Sequence, residues 1–143
     1  MPQPDFKLDD FLPYKLSIAA NAVSKRIART YAPYKLSPTQ WRVMAVLAGG
    51  APMTAGAVAD KTGMDKTTVS RAVAKMIDRR LVLRSASQID GRAAPLSLNT
   101  QGKAMFGIIA PKVLAQEEKL KALFSDEQLN IFDVLLDRLK SLP

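Results

Sequence analysis

Apolar residues recur at helical spacing along most of the chain. Leu12, Leu16, Ala19, Val23 and Ile27 step by three and four, which predicts a first helix with one buried stripe. Asp10 is its expected cap, Pro13 falls in its first turn, and Tyr31 and Pro33 end it. Ser37-Pro38-Thr39-Gln40 has the form of a capping box with proline at the first helical position. It predicts a second helix, Trp41 to Leu47, stopped by Gly49-Gly50-Ala51-Pro52. Thr54 is placed to cap a short third helix through Lys61, closed by Gly63, and Asp65 to cap a fourth from Lys66 to near Arg79.

Only Thr62-Gly63-Met64 separates the third helix from the cap of the fourth, which is helix-turn-helix spacing. Leu81-Val82-Leu83-Arg84 and Pro95-Leu96-Ser97-Leu98 read as short strands around Asp90-Gly91, a favourable turn pair. Helix, turn, helix and hairpin in that order make a winged helix. Two more helices follow, one from Thr100 to near Leu123 and one opened by the capping box Ser125-Asp126-Glu127-Gln128. Pro111 is expected to kink or divide the first of these. The apolar residues of the last helix, Leu129 to Leu139, cover an arc of about 220°, against roughly 100° for a helix with one neighbour. That breadth calls for a second covering surface, most simply another copy of the chain. The expected fold is mainly α with one small β-hairpin: a single domain over 1–143, with a winged helix-turn-helix lobe at 37–99 and dimerisation helices at 9–33 and 100–142.

Composition narrows the function. The 143 residues include no Cys and no His, which removes thiol nucleophiles, disulfides, the usual zinc sites and the commonest proton-transfer side chain. An enzyme is therefore not expected, nor any cofactor. No leader-like start and no apolar run of the ~20 residues a membrane span needs are evident, so a soluble, cytoplasmic protein with no membrane partner is expected. The net charge is +8, from 21 basic and 13 acidic side chains. It is uneven: +4 over residues 1–50, −1 over 51–60, +5 over 61–92 and zero over 93–143. A polyanion would dock in the middle, and double-stranded DNA is the partner a winged helix implies.

On the fourth helix Val69, Ala72, Val73 and Met76 share one side, leaving Thr67, Ser70, Arg71 and Ala74 on the other. Small hydroxyls and one arginine near a helix N-terminus suit the major groove, where arginine can bond guanine through two donors. Lys66 and Lys75 flank that face as phosphate partners. In the hairpin, Arg92 beside Asp90-Gly91 is placed to enter a narrow minor groove, with Asp90 aiming it by a charge-assisted bond.

Taken together, Asp65-Lys66-Thr67-Thr68-Val69-Ser70-Arg71, the following Leu81-Val82, Asp90-Gly91-Arg92 and Leu98-Asn99-Thr100 resemble the MarR family of bacterial transcriptional regulators. Leu36-Ser37-Pro38-Thr39-Gln40-Trp41-Arg42-Val43-Met44 is similar to that family's second helix. The resemblance implies an obligate homodimer that places two recognition helices in successive major grooves of a pseudo-palindromic operator, and wing arginines in the flanking minor grooves. It implies DNA contacts by Lys66, Thr67, Thr68, Ser70, Arg71, Asp90 and Arg92. Arg80 departs from it, standing where many members carry glycine. If that position needs a positive φ, Arg80 is strained there.

The resemblance also implies release from DNA when a small aromatic anion binds between the dimer helices and the DNA-binding lobe. Ser17, Asn21 and Ser24 form a small polar strip on the first helix, and Trp41, Arg42 and Met44 offer aromatic, cationic and adaptable surface on the second. Core packing is the stronger account of Trp41 and Met44, and helix-helix contact explains the polar strip as well. The segment Phe11 to Ser17 resembles regulators of aromatic-acid catabolism, so the effector expected is a small aromatic carboxylate or its acyl-CoA thioester, with Lys25, Arg26, Arg29 and Arg42 as cationic partners. The expected function is a repressor so released. The alternative is a sequence-tolerant architectural DNA-binding protein without a small-molecule signal.

Overall fold

A computed structural model describes residues 2–85 and 94–143. Its helices are α1 (Leu12–Tyr31), α2 (Pro38–Leu47), α3 (Ala55–Thr62), α4 (Lys66–Asp78), α5 (Thr100–Lys121) and α6 (Asp126–Lys140), with strands β1 (Val82–Arg84) and β2 (Leu96–Leu98) between α4 and α5. The architecture is the expected one, mainly helical with one antiparallel hairpin. Its register pairs Val82 with Leu98 and Arg84 with Leu96. Met53, in the loop before α3, exchanges main-chain hydrogen bonds with Leu96 (3.0 and 2.7 Å) and gives the hairpin a third edge. One isolated residue carries no period, so the sequence has no signal for it.

The core is made by α2, α3, α4, the hairpin and one turn of α5. Val43, Met44, Val58, Val69, Val73, Met76 and Ile109 are wholly buried. Each of α2, α3 and α4 is opened by the predicted cap: Ser37 with Gln40 as a reciprocal capping box, Thr54 on the amide of Ala57, and Asp65 on the amide of Thr68. Three expectations need correction. Asp10 does not cap α1; it closes a 3-10 turn, and Phe11 takes the cap position without a side-chain bond. Leu12, Leu16, Ala19 and Val23 are not a buried stripe, because only the C-terminal end of α1 reaches the core and these residues stay exposed. Of the kink or division expected at Pro111, division does not occur, since α5 runs unbroken for 22 residues. Ile109 and Val113 pack against the core on either side of the proline, offsetting the single hydrogen bond it removes.

The end of α4 has a specific geometry. Arg80 takes a left-handed conformation (φ 58°), its amide bonds Ile77 O and the amide of Leu81 bonds Met76 O, both at 2.9 Å. This is a Schellman closure, which favours glycine, completed here by an arginine. The carbonyl of Arg80 accepts from the Asn99 side chain, the Asn99 amide bonds Leu81 O, and Asn99 Oδ1 caps α5 through the amide of Gly102 at 2.8 Å. A Cβ on Gly102 would lie 2.2 Å from Leu81 O, so only glycine lets α5 approach this closely. Two opposite effects are expected in denaturant unfolding. Arg80→Gly stabilises by about 1 kcal/mol through relief of the left-handed strain, whereas Gly102→Ala destabilises by about 1–3 kcal/mol.

Candidate nucleic-acid interface

Gly63, left-handed at φ 73°, turns the chain between α3 and α4. The apolar side of α4 then locks onto the core through Val69, Ala72, Val73 and Met76. Burying that side leaves Lys66, Thr67, Ser70, Arg71, Ala74 and Lys75 exposed on the other, as the helical wheel requires. Thr68 sits differently from its neighbours. It is half-buried, and its hydroxyl donates to Asp65 Oδ2 at 2.7 Å while Asp65 Oδ1 accepts its amide at 2.8 Å. Its proton is thus committed to the cap, and only its oxygen remains to accept a bond. Those two bonds hold the Asp65 carboxyl below its ordinary pKa.

A groove of about 200 Å³ runs between α4 and the N-terminus of α2, with Ser37, Thr39 and Gln40 on one wall and Thr68, Arg71 and Lys75 on the other. A helix N-terminus beside two cations suits a phosphate. The capping box located this helix start in the sequence, but nothing there placed it against Arg71. Arg79 contributes differently from the other basic residues of this stretch: its guanidinium donates to the main-chain carbonyls of Lys35 (2.7 Å) and Tyr34 (2.8 Å), tying the end of α4 to the turn between α1 and α2. Asp90 and Arg92 lie outside the described residues.

The residues named for a small ligand divide. Ser24 Oγ accepts from Arg42 at 3.4 Å, with exposed Ser17 and Asn21 further along α1. Trp41 is half-buried in a stack, its ring 5.4 Å from Tyr31 and 5.6 Å from Phe106, both within 20° of parallel. Burial pushes the Tyr31 phenol above its ordinary pKa, and the charge of Arg42 partly opposes this. Met44 corrects the expectation: it is a core residue with no exposed surface to offer a ligand. Tyr31 and Phe106 were not anticipated, since the stack joins three helices that no local pattern connects.

Comparison with known proteins agrees with this geometry. Residues 34–93 match the family model described as MarR family. The chain is 26% identical over 122 residues to YwoH of Bacillus subtilis (strain 168), described as an uncharacterized HTH-type transcriptional regulator, covering 85% of this chain and 88% of that protein. Among solved structures, it is similar to a MarR family transcriptional regulator from Silicibacter pomeroyi (28% identity, TM-score 0.77, 93% and 90% of the two chains). It is also similar to Bordetella bronchiseptica BpsR, whose DNA binding is regulated by 6-hydroxynicotinic acid (17% identity, TM-score 0.86, 96% and 99%).

The depressed Asp65 pKa has a definite sign. Its folded value lies below its unfolded one, so the stabilisation is present above the ordinary carboxylate range and is lost as pH falls through the depressed value. Asp65→Ala should therefore lower the urea midpoint at neutral pH, and the gap from wild type should close in acid.

Proposed function

We propose that this protein, a MarR-family transcriptional regulator, is a repressor that binds a pseudo-palindromic operator as a homodimer and leaves it when a small aromatic acid binds. The observation that carries the DNA reading is the exposed face of α4: Thr67, Ser70 and Arg71 between Lys66 and Lys75, backed by a fully buried apolar side. Arg71 serves as the base reader, the hydroxyls and lysines as phosphate or base-edge partners, and Thr68 as an acceptor through its oxygen alone. Asp90 and Arg92, outside the described residues, complete the assignment on the strength of the sequence motif alone. Nothing in this role asks for catalysis or for a cofactor.

The dimer reading rests on apolar surface that the chain leaves bare. No residue of α6 is buried, and Ile131, Phe132, Val134 and Leu135 are each about half exposed, as are Leu12, Ile18 and Val23 on α1. Surface of that extent is covered by association in a stable protein. A two-fold pair sets its recognition helices about 10 bp apart on one duplex, so two short readings combine into one specific site. Among the described residues no helix is long and apolar enough to cross a membrane.

The effector reading places an aromatic carboxylate, or its acyl-CoA thioester, beside Ser17, Asn21, Ser24, Arg42 and Trp41. Arg42 supplies a cation beside the Tyr31-Trp41-Phe106 stack, the pairing such an acid needs. That the DNA binding of BpsR is regulated by 6-hydroxynicotinic acid supports the same ligand class. The joint of α1, α2 and α5 is where a ligand can bias one spacing of the two lobes over another.

Arg71→Ala and Arg92→Ala should each weaken binding to the operator upstream of the gene by about 1–3 kcal/mol with unchanged unfolding curves. Equal affinity for operator and random duplex at matched salt would instead favour the architectural alternative. 6-Hydroxynicotinate and related aromatic acids should quench the lone Trp41 saturably and release the operator, and Arg42→Ala should abolish both effects.

A further inference from the structure

The acidic side chains ahead of the reading lobe are gathered in one place. Asp5, Asp9 and Asp10 lie within six residues, and no other Asp or Glu occurs before Asp60. The same segment carries Phe6, Leu8 and Phe11, which are 61%, 50% and 43% exposed. Every residue from 2 to 13 is exposed, and the Phe6 and Phe11 rings meet edge to face at 5.1 Å. Pro2 and Pro4 keep the beginning of this arm extended, so ordering it against a surface costs little conformational freedom.

A surface of matching character lies on the lobe. Leu47 of α2, Pro52 of the following loop, Leu83 and Leu98 of the hairpin and Phe106 of α5 wall a groove of about 600 Å³, together with Lys103. Leu83 is the outward residue of β1: it pairs with Ser97 and is 54% exposed, while its neighbour Val82 turns into the core. Among the described residues no acidic side chain lines the groove or pairs with Lys103. Neither Arg42 nor Arg71 is among its walls, so the groove is separate from the effector and DNA readings.

A chain cannot fill its own groove. Tyr31, at the C-terminal end of α1, reaches Phe106 through Trp41, which puts the groove beyond that end of the helix. Arg26 and Arg29 lie opposite Lys112 across a cleft between α1 and α5, and Lys103 is nine residues nearer the start of α5. The arm leaves from the other end of α1, a rod about 30 Å long. Phe6 is five residues from Phe11, at most about 18 Å of extended chain. An arm therefore meets a groove only on another copy.

We propose that the arm of each protomer, residues 2–11, docks in this groove of its partner. Phe6 and Leu8, on one side of an extended segment, cover the apolar wall, and the acidic side chains face Lys103. The inference rests on the homodimer reading and adds a swapped contact to it: each reading lobe is gripped by the opposite chain, at the ring that backs Trp41.

The chain has no cysteine of its own, so introduced thiols report this contact alone. Full-length Phe6→Cys and Leu83→Cys proteins, mixed, left to exchange subunits and mildly oxidised, should form a mixed disulfide well above that of Phe6→Cys with Lys61→Cys, whose site on α3 is outside the groove. Phe6→Ala should raise the dimer dissociation constant about tenfold or more by sedimentation, with unchanged helix content. In Leu83→Cys alone, the thiol should react with a maleimide several-fold more slowly than in Leu83→Cys/Phe6→Ala. A dimer that Phe6→Ala leaves unchanged, with no mixed disulfide beyond the Lys61→Cys control, overturns the docking and leaves the homodimer reading intact. A wild type that stays monomeric at every concentration overturns both. A disulfide closed within single chains of Phe6→Cys/Leu83→Cys would mean that the arm reaches its own groove, and the proposal fails. It fails too if only an added aromatic acid shields the Leu83→Cys thiol.

Discussion

The junction at Asn99 ties the reading head to the long helices. Its side chain donates to Arg80 O at the end of α4 and accepts the amide of Gly102, while its own amide bonds Leu81 O at the root of the hairpin. Recognition helix, wing and α5 therefore meet within one residue's hydrogen-bonding reach, and Gly102 lets them meet without a gap. Rigid joints of this kind make a displacement of α5 a displacement of the lobe as a whole. That is the property the proposed homodimer requires, since its two reading heads must keep a fixed spacing. The left-handed strain at Arg80 is the cost of closing α4 sharply enough to deliver the chain into β1.

The aromatic stack is the second joint. Tyr31, Trp41 and Phe106 come from α1, α2 and α5, so the ring faces fix the spacing of three helices at one level. Arg79 makes the third, pinning the far end of α4 to carbonyls of the turn between α1 and α2. Between these joints the lobe is held to α1 and α5 by directional contacts as well as by apolar packing.

Much of this was legible in the sequence because its signals are local. Ser37, Thr54, Asp65 and Ser125 cap the helices they were expected to cap, and Gly63 turns between α3 and α4. The buried and exposed sides of α4 follow from its period alone. What failed to show were relations between distant segments: Met53 against Leu96, the groove joining Ser37 to Arg71, the ring stack, and Arg26 and Arg29 opposite Lys112. The period of α1 predicts its apolar stripe but not its exposure, because periodicity reports which face seeks cover and not whose surface supplies it. Asp10 and Pro111 show the other limit, where a strong local preference yields to the neighbouring Phe11 or to the packing of a long helix.

On the proposed homodimer reading, the unburied face of α6 makes the folded population of this chain a matter of mass action. Apolar surface that only association covers contributes to stability in proportion to the logarithm of protein concentration. A chain built this way is least secure when it is scarce. Dilution loosens the terminal helices first, while the compact lobe, with its own caps and buried core, stays formed.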